Sequence, residues 1–323
     1  MKRRQFLQSV VGAASLPVLT GAASAQAAYP SRPVRIIAGF AAGGVDITAR
    51  LMGQWLNERL GQAFVTENRT GADGNIATEA VVNAPPDGYT LLLATLPNAV
   101  NTTLYPHLKF NFLRDVAPVA GVIRVPMVAL VHPSMPVKSI AELIAYAKAN
   151  PGKINMASAG TGSAPHMAGE LFNSMAGTSM LHVPYRGQGP ALSDLLGGQV
   201  QILFAAAPGT VDYIKSERLR ALGVTSATQA EVLRDLPPIS GTVPGYEASQ
   251  WYGVAAPART PADIVARLNT EANAAFADAA MKARFAAISG EPIGGTPAQF
   301  GKLIADETEK WAKVVKFTGL KVE

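Results

Sequence analysis

An α/β chain folded as two lobes is what this sequence predicts, and three observations predict it. An apolar strand, a glycine-rich turn and an amphipathic helix succeed one another between Val34 and Leu60, and the same alternation recurs down the chain. The 323 residues are 48% hydrophobic and only 16% charged, enough apolar surface for one large core or two ordinary ones. Two is the expected number at this length.

The chain starts with an export signal, residues 1–27. Lys2, Arg3 and Arg4 precede an apolar stretch from Val10 to Leu19, and small residues follow at two cleavage positions, after Ala25 or after Ala27. Arg3 and Arg4 ahead of Gln5, Phe6 and Leu7 resemble the twin-arginine export pattern, the alternative being general secretion. The formal charge of +5 is partly an effect of this segment. Removing its three basic residues from 28 leaves 25 against 23 acidic, or +2, and no basic cluster interleaved with aromatics follows, so nucleic acid is not an expected partner. Cysteine is absent, which excludes disulfides, thiol chemistry and a lipid-modified N-terminal cysteine. No later apolar run reaches the roughly 18 residues that would span a bilayer. The mature chain is expected in the periplasm, as a monomer.

Val34, Ile36, Ile37 and Ala38 read as a strand buried on both faces, ending by Phe40. Gly43 and Gly44 permit a tight turn, and Asp46 is placed to cap a helix with the apolar face Ile47, Leu51, Trp55 and Leu60. A helix N-terminus reached this way presents unpaired N–H groups and about half a positive charge, enough to hold a small anion without a basic side chain. Phe64 to Asn68 is a strand, Asn75 to Asn83 a helix and Thr90 to Ala94 a buried strand. Strand signals resume at Val116 to Ile123 and again at Pro126 to Val131, where a new unit begins. Ser139 and Glu142 form a capping box ahead of the face Ile140, Leu143, Ile144 and Ala147.

The second unit repeats the first. Ile154 to Ala157 is a strand, Ser158 to Ser163 a turn of small residues, and Pro165 to Met175 a helix. Strands follow at Met180 to Val183, Ile202 to Ala206 and Leu219 to Val224, with a helix at Pro190 to Leu196 and a return strand at Tyr246 to Ala256. Thr260-Pro261 opens a closing helix, and Thr296-Pro297 with Gln299 opens the last, which buries Phe300, Leu303, Ile304, Trp311 and Val315.

Catalytic chemistry is sparse. His107, His132, His166 and His182 share no metal-ligand spacing, and no hydrolase or phosphate-loop motif occurs, so neither a metal, a cofactor nor a catalytic residue is expected. Ser163 and His166 flank one glycine-rich turn without an identifiable orienting acid, and Glu142, Glu170 and Asp194 read as solvated helix residues or caps.

Phe40-Ala41-Ala42-Gly43-Gly44 with Asp46 and Arg50, Glu67-Asn68-Arg69, Pro86-Asp87-Gly88-Tyr89-Thr90-Leu91, Asn150-Pro151-Gly152-Lys153, His182-Val183-Pro184-Tyr185 and Gly197-Gly198-Gln199-Val200 occur in order. With these motifs the chain, from Tyr29 to its end, resembles the Bug family, the solute-binding receptors of tripartite tricarboxylate transporters. The resemblance implies a type II periplasmic-binding-protein fold: lobe 1 from 28–127 and 249–323, lobe 2 from 128–248, strands crossing near Pro126 to Val131 and Ser249 to Ala255, and a ligand cleft between the lobes. It implies a small carboxylate as ligand and a membrane permease as partner; a membrane sensor kinase, or turnover of the bound acid by an enzyme on this fold, are the alternatives. It also implies a site at Ala42, Gly43, Gly44 and Asp46 on one lobe and Ser158, Gly160, Thr161, Ser163 and His166 on the other. The loop from Thr95 through Asn98 to Asn101 and the turn beginning at Ala205 would complete the wall. The chain departs from the family pattern at Asp73 (usually glycine), at Pro97, at Pro165 and at Ala205, where many members carry aspartate; the last change suits a more apolar or more anionic ligand.

Overall fold

In the computed structural model, residues 29–41, 43–230 and 233–322 are described. The export signal read at 1–27, and Ala42 of the first turn, lie outside them.

The VRIIA run forms β1 (Val34–Ala38), buried along its length except at Arg35, and the chain turns through Gly43 into α1 (Gly44–Leu60). It returns as β2 (Phe64–Asn68) and continues through α2 (Asn75–Val82), β3 (Thr90–Thr95), α3 (Leu96–Leu104) and the single turn α4 (Phe112–Asp115). β1 pairs in parallel with β2 on one edge and with β3 on the other. β4 (Val116–Val131) then leads into a second unit of α5 (Ile140–Ala149), β5 (Asn155–Ser158), α6 (Ala164–Ala176), β6 (Leu181–Pro184), α7 (Gln188–Leu196), β7 (Ile202–Ala206), α8 (Val211–Lys215) and β8 (Arg220–Val224). β9 (Ser249–Pro257) brings the chain back to the first unit, where α9 (Ala262–Ala274), α10 (Ala279–Ala287), β10 (Glu291–Gly294) and α11 (Pro297–Thr318) complete it.

The strands form one curled sheet in the order β2-β1-β3-β9-β4-β7-β5-β6, with β10 and β8 also paired to β4. β4 belongs to both halves. From Val116 to Pro126 it runs antiparallel to β9, and from Met127 to Val131 it runs antiparallel to β7 and β8. The sequence reads as two strand segments here, Val116 to Ile123 and Pro126 to Val131. The structure has one strand of 16 residues, with the register slipping beside Pro118 and beside Gly121. Such bulges let a strand carry a proline or glycine without ending.

Other expectations shift locally. The buried face of α1 is Thr48, Ala49, Met52, Gly53 and Leu56, one position on from the expected stripe; Ile47 is 41% exposed, and Leu51, Trp55 and Leu60 pack at the margin. Asp46 caps nothing, since the N-cap is Gly43. Thr95 to Asn101 is no loop but the end of β3 and the first turns of α3, with Pro97 in the first turn and Asn98 Oδ1 accepting from the Thr95 N–H at 2.7 Å. Ser139 Oγ accepts from the Glu142 N–H as read, but the Glu142 carboxylate reaches the Lys138 N–H rather than that of Ser139. The box at Thr296 and Gln299 is complete, and α11 buries Phe300, Ile304, Trp311 and Val315 with Leu303 at its edge. One apolar cluster runs through both halves beneath α11; two smaller ones lie against α1 and against α7.

Candidate functional site

Parallel strands followed by helices put helix N-termini at the C-terminal edge of a sheet, the place where open α/β sheets take their ligands. Two such edges face each other here, across a cavity of about 360 Å³. Four helix N-termini line it: Gly43 and Gly44 of α1, Thr95 to Pro97 of α3, Ser163 to Pro165 of α6, and Gly187 with Gln188 of α7. The first N–H groups of a helix have no partner within it, and the macrodipole adds positive potential there. Among the described lining residues there is no lysine or arginine, so positive potential at the wall comes from these backbone ends. Pro97 and Pro165 remove one donor each from α3 and α6.

The rest of the wall is mainly apolar, from Phe40, Val45, Ile47, Leu96, Val125, Ala206, Pro208 and Ile288. Its polar side chains include Asp73, Gln188, Gln250 and Tyr252. The Tyr252 phenol donates to Gln250 Oε1, and burial pushes its pKa well up, so it stays protonated. Gln188 bridges α7 to the end of β7, accepting from the Ala206 N–H at 2.8 Å. Asp73 stands in the left-handed region at φ 50°, held from behind by Asn101 Nδ2 on its carbonyl at 3.0 Å and by the Tyr105 hydroxyl on Oδ2 at 2.7 Å.

Of the residues expected at the site, Gly43, Gly44, Thr95 and Ser163 line the cavity. Several others stand behind the wall. Asn98 ties the start of α3 to Thr78 at 2.8 Å and orients that N-terminus. Asp46 sits on the outer side of α1's first turn, hydrogen-bonded to Arg50 at 2.9 Å and Asn68 at 2.8 Å. The Arg50 hydrogen bond holds its carboxyl below the usual range, against a smaller opposing effect of burial. Ser158 is fully buried and pairs with His182 Nε2 at 2.6 Å, while its Oγ accepts from the Gly160 N–H at 3.1 Å; Gly160 and Thr161 thus complete the turn that leads to Ser163. Ala205 faces the apolar cluster on α7's side of the sheet, because side chains alternate along β7; Ala206 meets the cavity. Sequence reasoning did not single out Val125, Gln188, Gln250, Tyr252 or Ile288, which arrive from distant segments. Pro97, Pro165 and Asp73 drew notice only as departures from a family pattern.

His166 is buried and stacks on His182, with ring centroids 3.5 Å apart and planes at 12°. Its Nδ1 accepts from the Gly162 N–H at 3.0 Å, whereas the Ser163 hydroxyl donates to the Gly160 carbonyl at 2.6 Å. Ser163 and His166 therefore do not form a nucleophile–base pair. Burial first, and the neighbouring His166 second, pull the His182 pKa down to about 3. A base whose folded pKa lies below its unfolded value of about 6.5 stabilises the fold fully above that value and loses the contribution as pH falls toward 3. We expect the melting temperature to fall between pH 6.5 and 4, at most about 1.4 kcal/mol per pH unit for this proton and less for a partly solvated ring. A His182→Gln protein should show a flatter profile; equal slopes for both proteins would refute the assignment.

Known proteins share this fold. Residues 48–320 match the profile described as tripartite tricarboxylate transporter family receptor. BugT of Bordetella pertussis is 38% identical over 299 residues, which span 91% of this chain and 92% of BugT. Among solved structures, Rpa4515 of R. palustris with adipate superposes with a TM-score of 0.81 at 36% identity, covering 90% of this chain and 98% of that one. MatC of Rhodopseudomonas palustris with bound malate does so with a TM-score of 0.78 at 29% identity, covering 89% and 100%.

Proposed function

The chain belongs to the tripartite tricarboxylate transporter receptor family, whose members are periplasmic solute-binding proteins rather than enzymes, and on that premise we propose that it captures a small carboxylate between its lobes and delivers it to the permease of such a transporter. In this reading residues 1–27 direct export and are removed. Residues 28–127 with 249–323 form one lobe, 128–248 form the other, and β4 with the return at Ala248 and Ser249 forms the hinge. Among the described residues, no helix is long and apolar enough to cross a membrane.

The observation that carries the proposal is the meeting of four helix N-termini on a wall that, among the described residues, has no basic side chain. Backbone donors fixed by the fold bind a carboxylate without reorganising, and an apolar surround strengthens each bond. Rpa4515 with adipate and MatC with malate are the relatives from which carboxylate binding is carried over. The test is a thermal-shift screen of the mature protein against mono-, di- and tricarboxylates and their amides. An acid at about 100 times its Kd adds about 2.7 kcal/mol, a rise of several degrees, and its amide adds nothing. Equal stabilisation by acid and amide, or none by any acid, would reject carboxylate capture.

A further inference from the structure

The wall of the cavity is asymmetric in charge. Asp73 lines it as a carboxylate, and among the described lining residues no lysine or arginine offsets it. Its place is set by structure on three sides: the left-handed backbone at φ 50°, the Asn101 amide on its carbonyl, and the Tyr105 hydroxyl on Oδ2. Gly162, one residue before the N-cap of α6, comes so close that a methyl group there would lie 4.0 Å from Asp73 Oδ2. The protein thus sets an acidic side chain of its own beside the turn that enters α6, the helix end that Pro165 already deprives of one donor. A second carboxylate brought to this end would meet a like charge in a part-buried site, where screening is weak. Apart from Gln188, Gln250 and Tyr252, the wall that remains for the ligand's body is mainly apolar, with Phe40, Val45, Ile47, Leu96, Val125 and Ile288.

We infer that the ligand is a monocarboxylate with an apolar body, aliphatic or aromatic, and that Asp73 is the residue that rejects diacids. The inference rests on the carboxylate-receptor reading and deepens it. The ligand's one carboxylate takes the backbone donors of the helix ends left free of Asp73, and its far end points at the apolar wall.

Two matched pairs test this: hexanoate against adipate, and benzoate against terephthalate, titrated calorimetrically into the mature protein and into Asp73→Asn. The wild-type protein should prefer the monoacid of at least one pair by tenfold or more. Asp73→Asn should move that ratio at least tenfold toward the diacid. Asparagine tolerates the left-handed backbone, and Asp73→Gly, which suits it still better, serves as the second variant should the first fold poorly. Preference for a diacid in the wild-type protein, or a ratio that neither substitution moves, overturns the inference and leaves the receptor reading intact. Failure of every acid in these pairs and in the wider screen overturns both.

Discussion

Replacing Gly44 by valine is expected to weaken carboxylate binding at least 100-fold, about 2.7 kcal/mol, while leaving the unliganded protein folded. Gly44 is the first residue of α1 and lines the cavity. A β-carbon there would lie 2.8 Å from the Tyr252 hydroxyl and 3.2 Å from its ring. Tyr252 has little room to retreat, being 4% exposed and hydrogen-bonded to Gln250. The valine methyls would therefore be driven toward the N–H groups that the proposal assigns to the ligand. Gly43 differs in kind: its φ of 78° needs glycine for backbone reasons, yet the space beside it is open. Titration of Gly44→Val with the tightest acid of the screen, beside its unliganded melting curve, decides the matter. Affinity within threefold of wild type would show that the ligand does not approach α1.

The largest expected loss of stability is that of Trp311→Ala, about 4 kcal/mol and about 10 °C in melting temperature. Trp311 is fully buried in the cluster common to both halves; its Nε1–H donates to Glu307 Oε2 at 2.8 Å, and Lys310 Nζ lies 4.6 Å from the ring centroid. Truncation leaves a cavity under α11 and frees one oxygen of a buried carboxylate. Glu307 keeps its ion pair with Lys310, which also holds Glu247 at 2.9 Å, so the charge itself stays partnered. Differential scanning calorimetry measures the change. A drop under 2 °C would mean that α11 contributes little to the core.

Local signals were legible where physics is local. β1, β2 and β7 fall where their apolar runs place them, and the box Thr296-Pro297 with Gln299 marks the start of α11. The glycine turns that line the cavity were readable because a strand followed by small residues and a helix has few other outcomes. The face of α1 was not, because Thr48, Ala49 and Gly53 are small or polar and hydrophobic periodicity overlooks them, while Ile47 is spent on the cavity wall. α3 did leave a signal, threonine followed three residues later by asparagine with proline between, but so polar a stretch reads as a loop. Nothing near Tyr252, Gln250 or Ile288 announces a binding wall. β9 and the segment after α10 bring them there through pairings between remote parts of the chain.

The route of β4 and β9 also fixes the order in which the chain can become a protein. Leu92 of β3 pairs with Ala255 of β9, and the core shared by both halves closes only when α11 delivers Trp311. A polypeptide emerging N-terminus first therefore carries β1 to β3 with an open strand edge until β9 has appeared, and with uncovered apolar faces until α11 has. The second half of β4, from Met127 to Val131, with β5 to β8, by contrast, finds its sheet partners within one unbroken stretch. The part made earliest waits longest, and its open edge is where pairing with another chain competes with folding.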